Sequence, residues 1–184
     1  MARIYRLSKG DEATTTGTSI IKVKTGLLQL LGDTTVSGAS VQNITFSGLT
    51  GDTDKTYFLV MFGIDDTTVT NLGLRFNGDT GNNYIEQNIE ASSTTVSSYT
   101  NTLSYGFFIY LAANAHGIAQ VWIHSLSGYQ RWATYTCGSS VPTSFMGSIR
   151  WTNTADQITS ITIHAAGGAV MKAGTRVVLF KQSS

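Results

Sequence analysis

Residues 72–84 read Leu-Gly-Leu-Arg-Phe-Asn and then Gly-Asp-Thr-Gly-Asn-Asn-Tyr, and this succession of an alternating strand and a Gly/Asn reversal recurs along most of the chain. Successive side chains of an extended segment point to opposite faces, so Leu72, Leu74 and Phe76 share one face and Gly73, Arg75 and Asn77 the other. The Gly and Asn residues supply the positive-φ positions that a tight reversal needs. Strand-like runs stand at residues 20–24, 27–31, 41–47, 57–64, 72–77, 84–89, 103–111, 118–124, 131–136, 145–151, 158–164 and 176–181. Turn chemistry separates them at 48–52, 65–66, 77–79, 127–128, 138–140 and 167–168. The spacing predicts an all-β fold, an antiparallel β-sandwich. Helix signals are nearly absent, and the run at 112–116 fits a helical turn or a tight loop equally well. Residues 57–64 are apolar on both faces and predict a central strand, covered by the opposite sheet on one side and by another element or subunit on the other.

Nothing in the 184 residues divides the chain into comparable halves, so the expectation is a single sandwich domain over 20–184. Residues 1–19 are mostly polar, without a hydrophobic period, and read as an extended N-terminal arm. Charged residues make up only 12% of the chain and the net charge is +1, which leaves no electrostatic footprint for nucleic acid. So low a charge density suits a surface largely covered by neighbouring subunits. The single cysteine, Cys137, excludes an intrachain disulfide and reads as a buried or half-buried structural thiol. The opening Met-Ala-Arg-Ile-Tyr-Arg lacks the apolar run of a signal peptide, and no segment approaches the roughly 20 apolar residues of a membrane span. Synthesis in a cytoplasm, with no membrane partner, is the expectation.

His116, His124 and His164 fall in different elements without the close spacing of a zinc motif, so neither metal nor cofactor is expected. The carboxylate pairs Asp52/Asp54 and Asp65/Asp66 sit in turns, where Asp bonds the local backbone. Asn77, Asp79, Asn82 and Asn83 offer oxygen ligands but not the calcium-loop pattern. No nucleophile, base and orienting group form a recognisable set, so the chain is expected not to be an enzyme. Aromatic residues crowd the second half, where exposed rings would stack on sugar faces or anchor protein interfaces. Alternation assigns Phe108, Tyr110 and Trp122 to the core. Tyr129 and Trp132, flanking the turn at Ser127-Gly128, are the preferred exposed contacts, together with the amides and carboxylate of the Asn77, Asp79, Asn82, Asn83 loop.

Three segments together resemble a recurrent β-sandwich of tailed-bacteriophage virion proteins. They are Gly32-Asp33-Thr34-Thr35-Val36-Ser37-Gly38 with Ile44-Thr45-Phe46-Ser47-Gly48-Leu49, then residues 74–84, then 151–161 leading into 167–180. The resemblance spans 27–181 and implies a virion part with a jelly-roll sandwich, often trimeric. Of the roles it implies, capsid decoration (cement) suits a single sandwich with a short arm and no coiled-coil heptads. Arg3, Tyr5 and Arg6 would then dock the arm on the major capsid protein, another virion protein or an adjacent subunit, ordering as they bind. The alternative is a tail or fibre-tip module that binds host surface glycan through Tyr129, Trp132 and the 77–83 loop.

Overall fold

The computed structural model describes residues 27–64, 70–140 and 143–182. The arm with Arg3, Tyr5 and Arg6, the expected strand at 20–24 and the Asp65/Asp66 pair lie outside the described residues.

Period-two alternation resolves into strands β1 (Leu28–Thr35), β2 (Asn43–Ser47), β3 (Thr56–Ile64), β4 (Thr70–Phe76), β5 (Tyr84–Ser92) and β6 (Thr95–Leu103). It continues in β7 (Gly106–Leu111), β8 (His116–His124), β9 (Arg131–Ser139), β10 (Thr143–Trp151), β11 (Ser160–Ala165) and β12 (Arg176–Gln182). They form an antiparallel β-sandwich. One sheet has eight strands in the order β1-β12-β3-β8-β9-β10-β5-β6, the other four in the order β2-β11-β4-β7. That division exceeds the eight strands of a simple jelly roll, so antiparallel sandwich is the description the topology carries.

The core lies between the sheets. Leu72, Leu74 and Phe76 of β4, with Ile161 and Ile163 of β11, meet Tyr57, Leu59 and Met61 of β3, Val121 and Ile123 of β8, and Ile149 and Trp151 of β10. All are buried, as the alternation of residues 72–77 requires. β3 is an interior strand with a fully buried inner face, as its sequence predicts. On its outer face, however, Phe58 and Val60 are half-buried and Phe62 is exposed. Trp122, expected in the core, is 42% exposed on the same outer face, its ring stacked on Phe58 at 4.4 Å. The inner face of β8 is built instead from Gly117, Ala119, Val121 and Ile123.

Four local details have simple causes. Of the two readings offered for 112–116, the tight loop is the one found: residues 112–115 turn into β8, with the Ala115 amide donating to the Ala112 carbonyl and Asn114 at φ 57°. A single turn of helix, α1 (Gly51–Asp54), occupies what reads as a plain reversal, and its Asp52 accepts from the Ser127 amide and hydroxyl at 2.6 and 2.7 Å. Its Asp54 accepts from Lys181 Nζ at 2.8 Å and from the Tyr57 hydroxyl at 2.9 Å, so both acids bond across the fold, and Asp54 also locally, from the Thr50 hydroxyl at 3.0 Å. The run at 103–111 breaks at Ser104-Tyr105, where the chain leaves the large sheet for the small one. β6 itself has no counterpart among the predicted strands.

A candidate glycan groove between two sheet edges

β6 ends the large sheet and β7 ends the small one, yet they are consecutive in the chain. β7 packs over β10, β9, β8 and β5. The inner face of β5–β6 therefore projects past the small sheet. In register across that face, Glu86 opposes Asn101 and Asn88 opposes Tyr99. The groove left there has a volume of about 690 Å³. Its floor carries Glu86, Asn88, Glu90, Tyr99 and Asn101, while Tyr105, Phe107 and Tyr110 form the opposite wall with Asn71 of β4.

The floor is polar where a sandwich interior is normally apolar. Glu86 is 3% exposed and Asn88 4%. Asn101 Nδ2 donates to Glu86 Oε1 at 2.7 Å, but Glu86 Oε2, Asn88 Oδ1 and the hydroxyl of Tyr135 beneath them are buried without a hydrogen-bond partner. Burial pushes the Glu86 carboxyl above its ordinary range, tempered by the Asn101 amide and the Phe107 backbone. Burial likewise raises the Tyr135 phenol, helped by the nearby Glu86 charge. The Asn88 side chain lies close enough to temper that rise.

Tyr105 packs its ring against Gly73, where any larger residue would collide with it, and edge-on to His164 at 6.0 Å. Burial raises its phenol, the Asn71 side chain bonds it, and Arg75 lies close enough to offset part of the rise. Arg75 Nε donates to the Ser104 carbonyl at 3.1 Å, which fixes the turn that carries Tyr105. The result is a concave site of aromatic rings, amides and carboxyls, which can stack on a ring face and bond several hydroxyl groups at once.

The residues singled out from sequence lie elsewhere. Asn77 Nδ2 donates to the Gln157 carbonyl at 2.8 Å, and its Oδ1 accepts from the Thr159 amide at 2.7 Å and the Ser160 amide at 3.2 Å. Asp79 accepts from Trp151 Nε1 at 2.7 Å, the Gly81 amide at 2.8 Å and Asn83 Nδ2 at 3.0 Å. Asn77, Asp79 and Asn83 thus hold their own loop together, as residues of a turn do; Asn82 and Asn83 are exposed, Asn77 and Asp79 half-buried. Tyr129 is 72% exposed and Trp132 43%, with the Arg150 guanidinium 5.7 Å over the Trp132 ring. None of the six lines the groove. Among the described residues no three His, Cys, Asp or Glu side chains come together as a metal site. Cys137 is half-buried, its thiol pushed up to about 12 by burial. The groove residues left one signal in the sequence: Glu86, Asn88 and Glu90 recur at period two on the face that Tyr84 carries into the core.

No protein-family profile matches the chain. No curated protein matches it either. Among solved structures it is similar to the alginate lyase Aly36B. A mutant of that enzyme in complex with an alginate tetrasaccharide is 15% identical over 71% of this chain and 70% of that one, TM-score 0.35. A second structure of the lyase is 13% identical over 82% and 71%, TM-score 0.32. A Shewanella oneidensis MR-1 protein of unknown function is 10% identical over 86% and 77%, TM-score 0.26. At such values no residue correspondence is drawn. One expectation is nevertheless corrected: the neighbours of named activity are enzymes, so the exclusion of enzymatic activity drawn from the sequence is withdrawn.

Proposed function

We propose that the chain is a glycan-recognition β-sandwich whose ligand lies in the groove between β6 and β7. The observation that carries this reading is the floor of the groove. Glu86 and Asn88 line a space ringed by Tyr99, Tyr105 and Tyr110; each is more than nine-tenths buried, and each has a side-chain oxygen without a hydrogen-bond partner. Unpaired buried polar atoms cost stability, and a hydroxyl-rich ligand satisfies them. Sugar rings also present apolar faces for the tyrosines. The test is calorimetric titration with a glycan panel, with released products followed in the same mixtures by mass spectrometry. Tyr99→Ala, on an exposed edge strand, is expected to lower affinity by roughly tenfold or more while the fold persists. Trp132→Ala, outside the groove, is expected to leave it unchanged. The reverse pattern would return the site to the Trp132 face.

The resemblance to phage virion sandwiches supports a setting for such a module at a tail or fibre tip, with host surface glycan as partner. A second reading, trimeric decoration of the capsid, is favoured by the outer face of the large sheet. There Phe62, Ile118, Trp122 and Met146 are exposed, a surface that a neighbouring subunit would cover. Cryo-electron microscopy of purified particles separates the two: density over the head lattice supports decoration, density at the tail supports attachment.

A further inference from the structure

We propose that the groove selects glycans without acidic groups, neutral or amino-bearing chains rather than polyuronates or sulfated sugars. The inference rests on the glycan reading above and concerns the class of sugar. Its basis is the charge of the lining. Glu86 and Glu90 contribute two carboxyl groups from the same face of β5, and among the described residues no Lys, Arg or His lines the groove. Arg75, whose charge reaches Tyr105, is not among the lining residues and has its Nε on the Ser104 carbonyl. His164, edge-on to Tyr105, is held toward its neutral form by burial and bonds Asn43 at 2.8 Å through Nδ1.

An acidic sugar entering this space would shed water and meet no cation. Its carboxylates would stand against Glu90 and the unpartnered oxygen of Glu86, and like charges brought together at a desolvated interface are strongly unfavourable. Neutral sugars meet the opposite situation. Their hydroxyls donate to the side-chain oxygens of Glu86, Asn88 and Glu90, the first two each having one oxygen without a partner within the described residues, and accept from whatever donors the tyrosines and amides present. An amino group adds a charge of the sign that Glu90 favours.

The experiment is titration of the whole protein with three oligosaccharides of equal length: a cello-oligosaccharide, an oligoglucosamine and an oligouronate. The expected result is binding of the neutral or amino oligomer roughly tenfold or more tighter than the oligouronate. Tyr99→Ala should abolish most of that binding, which assigns it to the groove. Glu90→Gln should narrow the gap by raising oligouronate affinity roughly threefold to tenfold. Tightest binding by the oligouronate would overturn the selectivity while leaving the glycan reading standing. Binding by none of the three would overturn both, and neutral binding unaffected by Tyr99→Ala would place the site elsewhere and overturn both for this groove.

Discussion

A carboxyl group buried in a sheet interior opposes folding unless the native state pairs it or keeps it neutral. Among the described residues Glu86 is met by the Asn101 amide at 2.7 Å and the Phe107 backbone, and by no cation. Its folded pKa is raised above the ordinary 4.5, chiefly by burial. Between that ordinary value and the raised one the folded protein therefore binds more protons than the unfolded chain, and stability falls as pH rises through the window. Urea denaturation across the acid-to-neutral range should show this fall in the native sequence. In Glu86→Gln it should be much weaker, with the variant the more stable of the two at neutral pH. A Glu86→Gln variant less stable than the parent at neutral pH would show that the charged carboxylate is a structural asset. A sugar hydroxyl donating to Glu86 would favour its ionised form, so ligand binding in this pH window should release protons.

At the scale of elements, two features shape the groove: the absence of a side chain at Gly147 and the projection of β6. Gly147 lies on the inner face of β10, between β9 and β5. A Cβ there would stand 2.5 Å from the Gln87 carbonyl oxygen and 2.8 Å from the Tyr135 hydroxyl. No rotamer relieves a clash with backbone. Gly147→Ala is expected to destabilise the protein by about 2 kcal/mol or more, read from the denaturation midpoint, since it separates β10 from β5 under the groove floor. A change of a few tenths would mean that the floor is soft. The same elements show what the sequence could reveal. β4 was legible because Leu72, Leu74 and Phe76 form one unbroken apolar face. β6, Thr-Val-Ser-Ser-Tyr-Thr-Asn-Thr-Leu, was not, because an edge strand facing water on both sides needs no apolar period. Trp122 was misplaced for a different reason: alternation divides β8 into two faces but does not say which is inward, and the smaller residues Ala119 and Val121 took the core.

At the scale of the molecule, the sandwich class followed from turn spacing, while the groove depends on how far one sheet overhangs the other. Local sequence does not encode that overhang. It arises because eight strands meet four, so β5 and β6 extend beyond β7 and expose an inner face. The polar residues at 86, 88 and 90 lie on that face, the first two buried at its floor, yet in isolation they read as the solvent side of an ordinary strand. The outer face shows the same ambiguity in reverse. There Trp122 read as a core candidate, and it is 42% exposed. The loops at one end illustrate a third case. Amides and acids suited to a ligand, among them Asn77 and Asp79, are used to join the reversal to residues 151–160. The most direct test of glycan recognition in the groove is nuclear magnetic resonance mapping of backbone amides during titration with a neutral oligosaccharide. The predicted result is a set of perturbations centred on β5, β6 and the Tyr105 turn, with Glu86, Asn88, Tyr99 and Asn101 among the largest. Perturbations centred on Trp122 and Trp132, or on the 77–83 loop, would contradict it.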